Sequence, residues 1–148
     1  MKTNDLGGLT VFTQSIAPAD RTASVTGSEV DCSLCPVVAT IRVNVGTVTL
    51  ADSSNLFKFT VTQCATSGGS FTDADSSQYD PVSPTGSTTA WDRIINATTE
   101  GSKAYTFNFR MAADYPYIKV VATETGTAQA AFGACVEFEP SVGPGAVH

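Results

Sequence analysis

Four thiols are the side chains in this sequence best suited to chemistry: Cys32, Cys35, Cys64 and Cys135. The first two form a C-x-x-C, Cys32-Ser33-Leu34-Cys35. As thiolates, the four sulfurs could hold a zinc ion, but strong zinc motifs carry two paired knuckles and this chain has one. As a redox centre, C-x-x-C should open a helix within a βαβ unit. Here Pro36 and then a strand pattern follow, which opposes thioredoxin-like chemistry. As structural bridges, the four are disulfide candidates in an oxidising compartment. Four cysteines allow three pairings, and spacing does not choose among them. Cys64 and Cys135 share the outward parity of their strand patterns, which favours that bond if the strands are neighbours. As buried free thiols, all four would act as small hydrophobes.

The remaining chemistry is sparse. The single histidine is His148, so no internal imidazole is available. Serine nucleophiles need a base, and neither an internal histidine nor a G-x-S-x-G marks one. Fourteen acidic residues make some carboxylate pair inevitable, so a glycosidase-like pair carries no information. Asp73-Ala74-Asp75-Ser76 opens like a calcium loop, but Gln78 and Pro84 stand where the EF-hand needs Gly and Glu. Asn96-Ala97-Thr98 matches the glycosylation sequon. Trp91, Tyr79, Tyr115 and Tyr117 could stack on sugars, although aromatics near sheet ends more often serve core or interface. The expectation is a non-catalytic protein with no cofactor and no catalytic residues.

Composition narrows the partners. Eight Lys and Arg against fourteen Asp and Glu give a net charge of −6. The basic residues stand apart, so direct nucleic-acid binding, which needs clustered Lys and Arg, is not expected. No stretch approaches the 18 or so apolar residues of a membrane span. Residues 1–8 carry no apolar core of a signal peptide. Apolar residues make up 42% of the 148, enough for one hydrophobic core.

The elements that must position any site are strands. Val37, Ala39, Ile41, Val43 and Val45 share one face, with Thr40, Arg42 and Asn44 opposite. The same alternation recurs at Phe57, Phe59 and Val61, at Tyr105, Phe107 and Phe109, and at Ala130, Phe132, Ala134, Val136 and Phe138. A further strand over 117–125 turns Ile118, Val120 and Ala122 inward. Weaker strand patterns occupy 9–16, 22–25 and 88–95. Turn residues separate them, including Pro18-Ala19-Asp20, Asp52-Ser53-Ser54-Asn55 and Thr125-Gly126-Thr127. The pattern predicts an all-β, antiparallel β-sandwich of about eight strands, jelly-roll-like. One domain spans 9–139, between an extended N-terminal arm over 1–8 and a C-terminal tail over 140–148. The stretch 72–87 reads as a long polar loop.

In order and spacing, several segments are similar to a known family. They are Val30-Asp31-Cys32-Ser33-Leu34-Cys35, Thr49-Leu50-Ala51-Asp52-Ser53-Ser54-Asn55-Leu56, Gly69-Ser70-Phe71-Thr72-Asp73, Trp91-Asp92-Arg93-Ile94, and Tyr117-Ile118-Lys119-Val120-Val121-Ala122. Over residues 14–138 the chain resembles the small β-sandwich decoration (cement) or minor capsid proteins of tailed bacteriophage heads. The resemblance implies a structural virion protein, assembled in the host cytoplasm and bound outside the capsid. Its partners would be the major capsid protein and copies of itself, as a homotrimer. The alternatives are a neck or tail accessory protein of the virion, and a carbohydrate-binding sandwich module.

Overall fold

The computed structural model describes residues 10–35, 37–80 and 93–140. The arm over 1–8, the 140–148 tail beyond Pro140, Trp91, the end of the 72–87 loop and the first five residues of the 88–95 strand pattern lie outside the described residues. Among the described residues eleven strands appear in chain order: β1 Val11–Arg21, β2 Val25–Thr26, β3 Val30–Asp31, β4 Val38–Thr49, β5 Leu56–Cys64, β6 Thr72–Asp73, β7 Tyr79–Asp80, β8 Ile94–Ile95, β9 Lys103–Arg110, β10 Tyr117–Thr125 and β11 Gln129–Phe138. Six are long, and five are two-residue pieces.

All pairings are antiparallel and form two sheets. One sheet runs β1-β11-β4-β9-β7. The other runs β2-β10-β5-β6, with β3 also on β10 and β8 also on β5. The short strands β2 and β3 share one side of β10, and β6 and β8 share one side of β5. Counting each set as one interrupted strand brings eleven to nine, more than the about eight expected, with β7 as an addition at the edge. The pairs then nest: β1 with β11, β2–β3 with β10, β4 with β9, β5 with β6 and β8. A long hairpin rolled so that its arms alternate between two sheets is the jelly-roll arrangement.

The alternation in the sequence is what closes the roll. Ala39, Ile41 and Val43 of β4, Phe57, Phe59 and Val61 of β5, Phe107 and Phe109 of β9, Ile118, Val120 and Ala122 of β10, and Ala130 and Val136 of β11 are fully buried. A one-residue slip would turn every one of them outward, so burial fixes the register. Across the sandwich Phe132 meets Phe57 and Phe59 edge-on, with ring centroids 5.0 and 5.1 Å apart. Such contacts add about 0.5–1.5 kcal/mol beyond area burial.

Two expectations need correction, and one irregularity is new. Pro18-Ala19-Asp20 is not a turn: β1 runs through it, with irregular register between Gln14 and Ile16 and again between Ile16 and Ala19. Proline is tolerated there because β1 is an edge strand and the bulge leaves no ladder bond for it to supply. Val37 does not share the buried face of β4; it precedes the strand and is 56% exposed. Beyond Val45, the inward position shifts to Val48, because β4 carries an extra residue opposite Ala130 and Phe132.

Candidate functional site

The four cysteines do not converge. Cys32 and Cys35 occupy one turn between β3 and β4, where the Cys35 N–H donates to the Cys32 carbonyl at 2.8 Å. Ahead of it, the Asp31 carboxylate accepts from the Ser33 N–H at 2.8 Å, and the Cys32 N–H donates to the Pro116 carbonyl at 2.8 Å. The turn is thus tied to its own first residue and to the chain entering β10. Cys64 ends β5, in the same sheet, with β10 between it and β3: Tyr117 pairs with Cys64 on one side and Asp31 on the other. It keeps its outward parity yet is buried, because the turn over 66–69 folds across it. A Cβ on Gly69 would stand 2.7 Å from the Cys64 sulfur. Cys135 lies on β11 in the other sheet, opposite Arg42 and Gln14.

The bond favoured by parity, Cys64–Cys135, is therefore not available: β5 and β11 belong to different sheets. The four-thiolate zinc site fails for the same reason. Among the described residues no three His, Cys, Asp or Glu side chains are grouped to hold a metal. Burial pushes the Cys32 thiol up to about 12, helped by the charges of Cys35 and Asp31. Cys35 is also raised by burial, partly offset by a hydrogen bond from the Val37 backbone. Burial and then Glu137 raise Cys135, while Arg42 opposes them. None of these three is an activated thiolate.

The other sequence candidates have structural duties. Asp75 caps a short 3-10 turn over Ser76–Gln78, accepting from the Ser77 N–H at 2.8 Å, while the Gln78 side chain accepts from the Asp75 N–H at 2.9 Å. That capping box replaces the calcium reading of the acidic loop. In the sequon, the Asn96 and Ala97 N–H groups both donate to Glu100, at 2.6 and 2.8 Å. Tyr79 is engaged within the fold. Its hydroxyl accepts from the Val61 N–H at 2.9 Å, and the Arg93 guanidinium covers its ring at 3.8 Å from the centroid. Arg93 reaches there from a left-handed backbone position, φ 67°.

What the sequence reading missed is a surface. Among the described residues the exposed large hydrophobics are Phe12, Leu34, Val37, Val38 and Tyr115, with Phe12 63% and Leu34 62% exposed. All five sit at one end of the roll. Phe12 is at the start of β1, Leu34 at the tip of the C-x-x-C turn, Val37 and Val38 at the start of β4, and Tyr115 just before β10. One cleft at this end is lined by Cys32, Cys35, Val37, Met111 and Pro116, and a second by Thr10, Val37, Val38, Glu137 and Phe138. Val37 lines both. The register Val11–Phe138 brings both ends of the described chain to this same edge. One signal was legible: Val37-Val38 is a consecutive apolar pair, and a strand cannot bury both.

Comparison with known proteins returns nothing: no family profile, no curated protein and no solved structure matches the chain.

Proposed function

We propose that this chain is a structural, non-catalytic virion protein that binds the outside of a phage head and stabilises the shell. The observation that carries the reading is the end of the jelly roll where the exposed large hydrophobics of the described residues, Phe12, Leu34, Val37, Val38 and Tyr115, gather. Contiguous exposed apolar surface on a small domain marks a protein interaction site. Jelly rolls recur in viral shells because a rolled double sheet leaves few edges for unwanted pairing. The face is small, so affinity per copy is modest, and the shell is held by many copies engaging a repeating lattice. The partner is the major capsid protein. The proposed trimer brings three such faces onto one lattice position.

The test is binding of the purified chain to heads of the phage that encodes it, after the resident copies are stripped. Burying one exposed Leu or Val side chain contributes about 1.5–3 kcal/mol, roughly 10- to 150-fold in affinity. Leu34→Asp and Val37→Asp should each weaken head binding by that factor while leaving the circular dichroism of the β-sandwich unchanged. Wild-type binding by both folded variants would overturn the proposal. Antibody labelling of intact particles separates shell-wide decoration from a neck protein, which marks one vertex.

A further inference from the structure

We infer that Cys32 and Cys35 form an oxidisable dithiol, closed to an internal disulfide by a small disulfide oxidant such as oxidised glutathione, and that the bond locks the turn holding Leu34 outward. The hydrogen bond from the Cys35 N–H to the Cys32 carbonyl, 2.8 Å, defines a tight turn with the cysteines at its first and fourth positions. Such a turn holds its end Cα atoms within about 7 Å, and disulfides span about 4.4–6.8 Å between Cα atoms. Both residues line one cleft with Met111 and Pro116. The turn is already held in shape by Asp31 and by the Pro116 carbonyl, so closing the bond asks for little backbone movement.

The other pairings lack this proximity. Cys64 is separated from β3 by the whole width of β10, about 9–10 Å between Cα atoms at the usual strand spacing. Cys135 belongs to the opposite sheet. The geometry thus selects one of the pairings that the sequence leaves open.

The chemistry balances as ordinary thiol–disulfide exchange. The Cys35 thiolate, on the less buried of the two residues, attacks one sulfur of oxidised glutathione and expels one glutathione thiolate. The Cys32 thiolate then attacks the Cys35 sulfur of the mixed disulfide and expels the second. Two protein thiols are oxidised, one glutathione disulfide is reduced to two thiols, and the two protons go to solvent or to the leaving thiolates. Burial keeps both thiols protonated at neutral pH, so the reaction is slow there and accelerates with added base.

The experiment treats the full chain with excess oxidised glutathione, denatures and alkylates it, and maps its peptides without reduction. The expected product has lost two hydrogens, carries a Cys32–Cys35 bond, and yields Cys64 and Cys135 alkylated. Cys35→Ser should yield no internal disulfide, and Cys32→Ala should stop at a glutathione adduct on Cys35. Hydrogen exchange of the 33–35 amides should slow several-fold on oxidation. A disulfide that includes Cys64 or Cys135, or no internal disulfide in the folded wild type, overturns the pairing. Unchanged exchange in the bonded protein overturns the lock. None of these readouts depends on the chain binding a phage head.

Discussion

Cys32 shows how much one buried side chain can set. The residue is 2% exposed, and its thiol is pushed from an ordinary 9.0 up to about 12. The unfolded chain releases that proton near pH 9, whereas the folded chain holds it until about pH 12. Between these values the folded state binds more protons, so its stability is fully present below pH 9 and declines as pH rises towards 12. Urea unfolding measured below and above pH 9 should therefore show a falling midpoint, and Cys32→Ala should flatten that fall. An equal alkaline loss in both proteins would assign the effect to other groups. Elsewhere single residues tie the roll at its opposite end. Asn55 accepts from the Thr127 N–H at 2.7 Å and donates to Asp52 at 2.9 Å, joining the turn before β5 to the turn after β10. On the outer face of the other sheet, Arg42 of β4 makes a two-point ion pair with Glu137 of β11, next to Cys135.

At the scale of elements, β1 is the strand whose fit is most demanding. It is an edge strand, bulged around Pro18, and it lies across Gly133 of β11. A Cβ at position 133 would stand 2.9 Å from the Pro18 ring carbon and 3.0 and 3.1 Å from its N and Cα. Those last two are backbone atoms and cannot swing aside. Gly133→Val should therefore push β1 off β11 and cost about 1–3 kcal/mol, read as a lower urea midpoint. Amide exchange should rise in β1 before it rises in β4 or β5. A uniform change across both sheets would mean that the clash is absorbed elsewhere. The C-x-x-C turn is the other demanding connection, since it must cross from β3 in one sheet to β4 in the other while keeping Leu34 in solvent.

For the whole molecule, the rolled topology makes the two ends of the described chain meet. β1 and β11, more than a hundred positions apart, pair along most of their length. Non-local pairing of this kind must close long loops before any contact rewards it. Refolding from urea should accordingly fall in the millisecond-to-second range typical of all-β domains, measured by stopped-flow fluorescence. Microsecond refolding would contradict the cost assigned to this non-local pairing. The same topology gathers the starts of β1, β4 and β10 and the ends of β5, β9 and β11 at one end, where the apolar face lies. A double sheet whose exposed large hydrophobics, among the described residues, gather at one end suits the proposed mechanical role, because the turns that carry Leu34 and Tyr115 lead directly into strands of the two ladders.

The strands and their inward faces were legible in the sequence because alternation is local: Phe57, Phe59 and Val61, or Ile118, Val120 and Ala122, declare their burial two residues at a time. The hydrophobic core was legible too. The sequence could not say which strands are neighbours, and that decided the fate of the cysteines: parity put Cys64 and Cys135 on outward faces, but only the roll shows that those faces belong to opposite sheets. Nor could it show that Pro18 sits in a bulged edge rather than a turn, that Arg93 covers Tyr79, or that five residues scattered from Phe12 to Tyr115 form one apolar end. Each of these depends on contacts between positions far apart in the chain, and local periodicity carries no information about them.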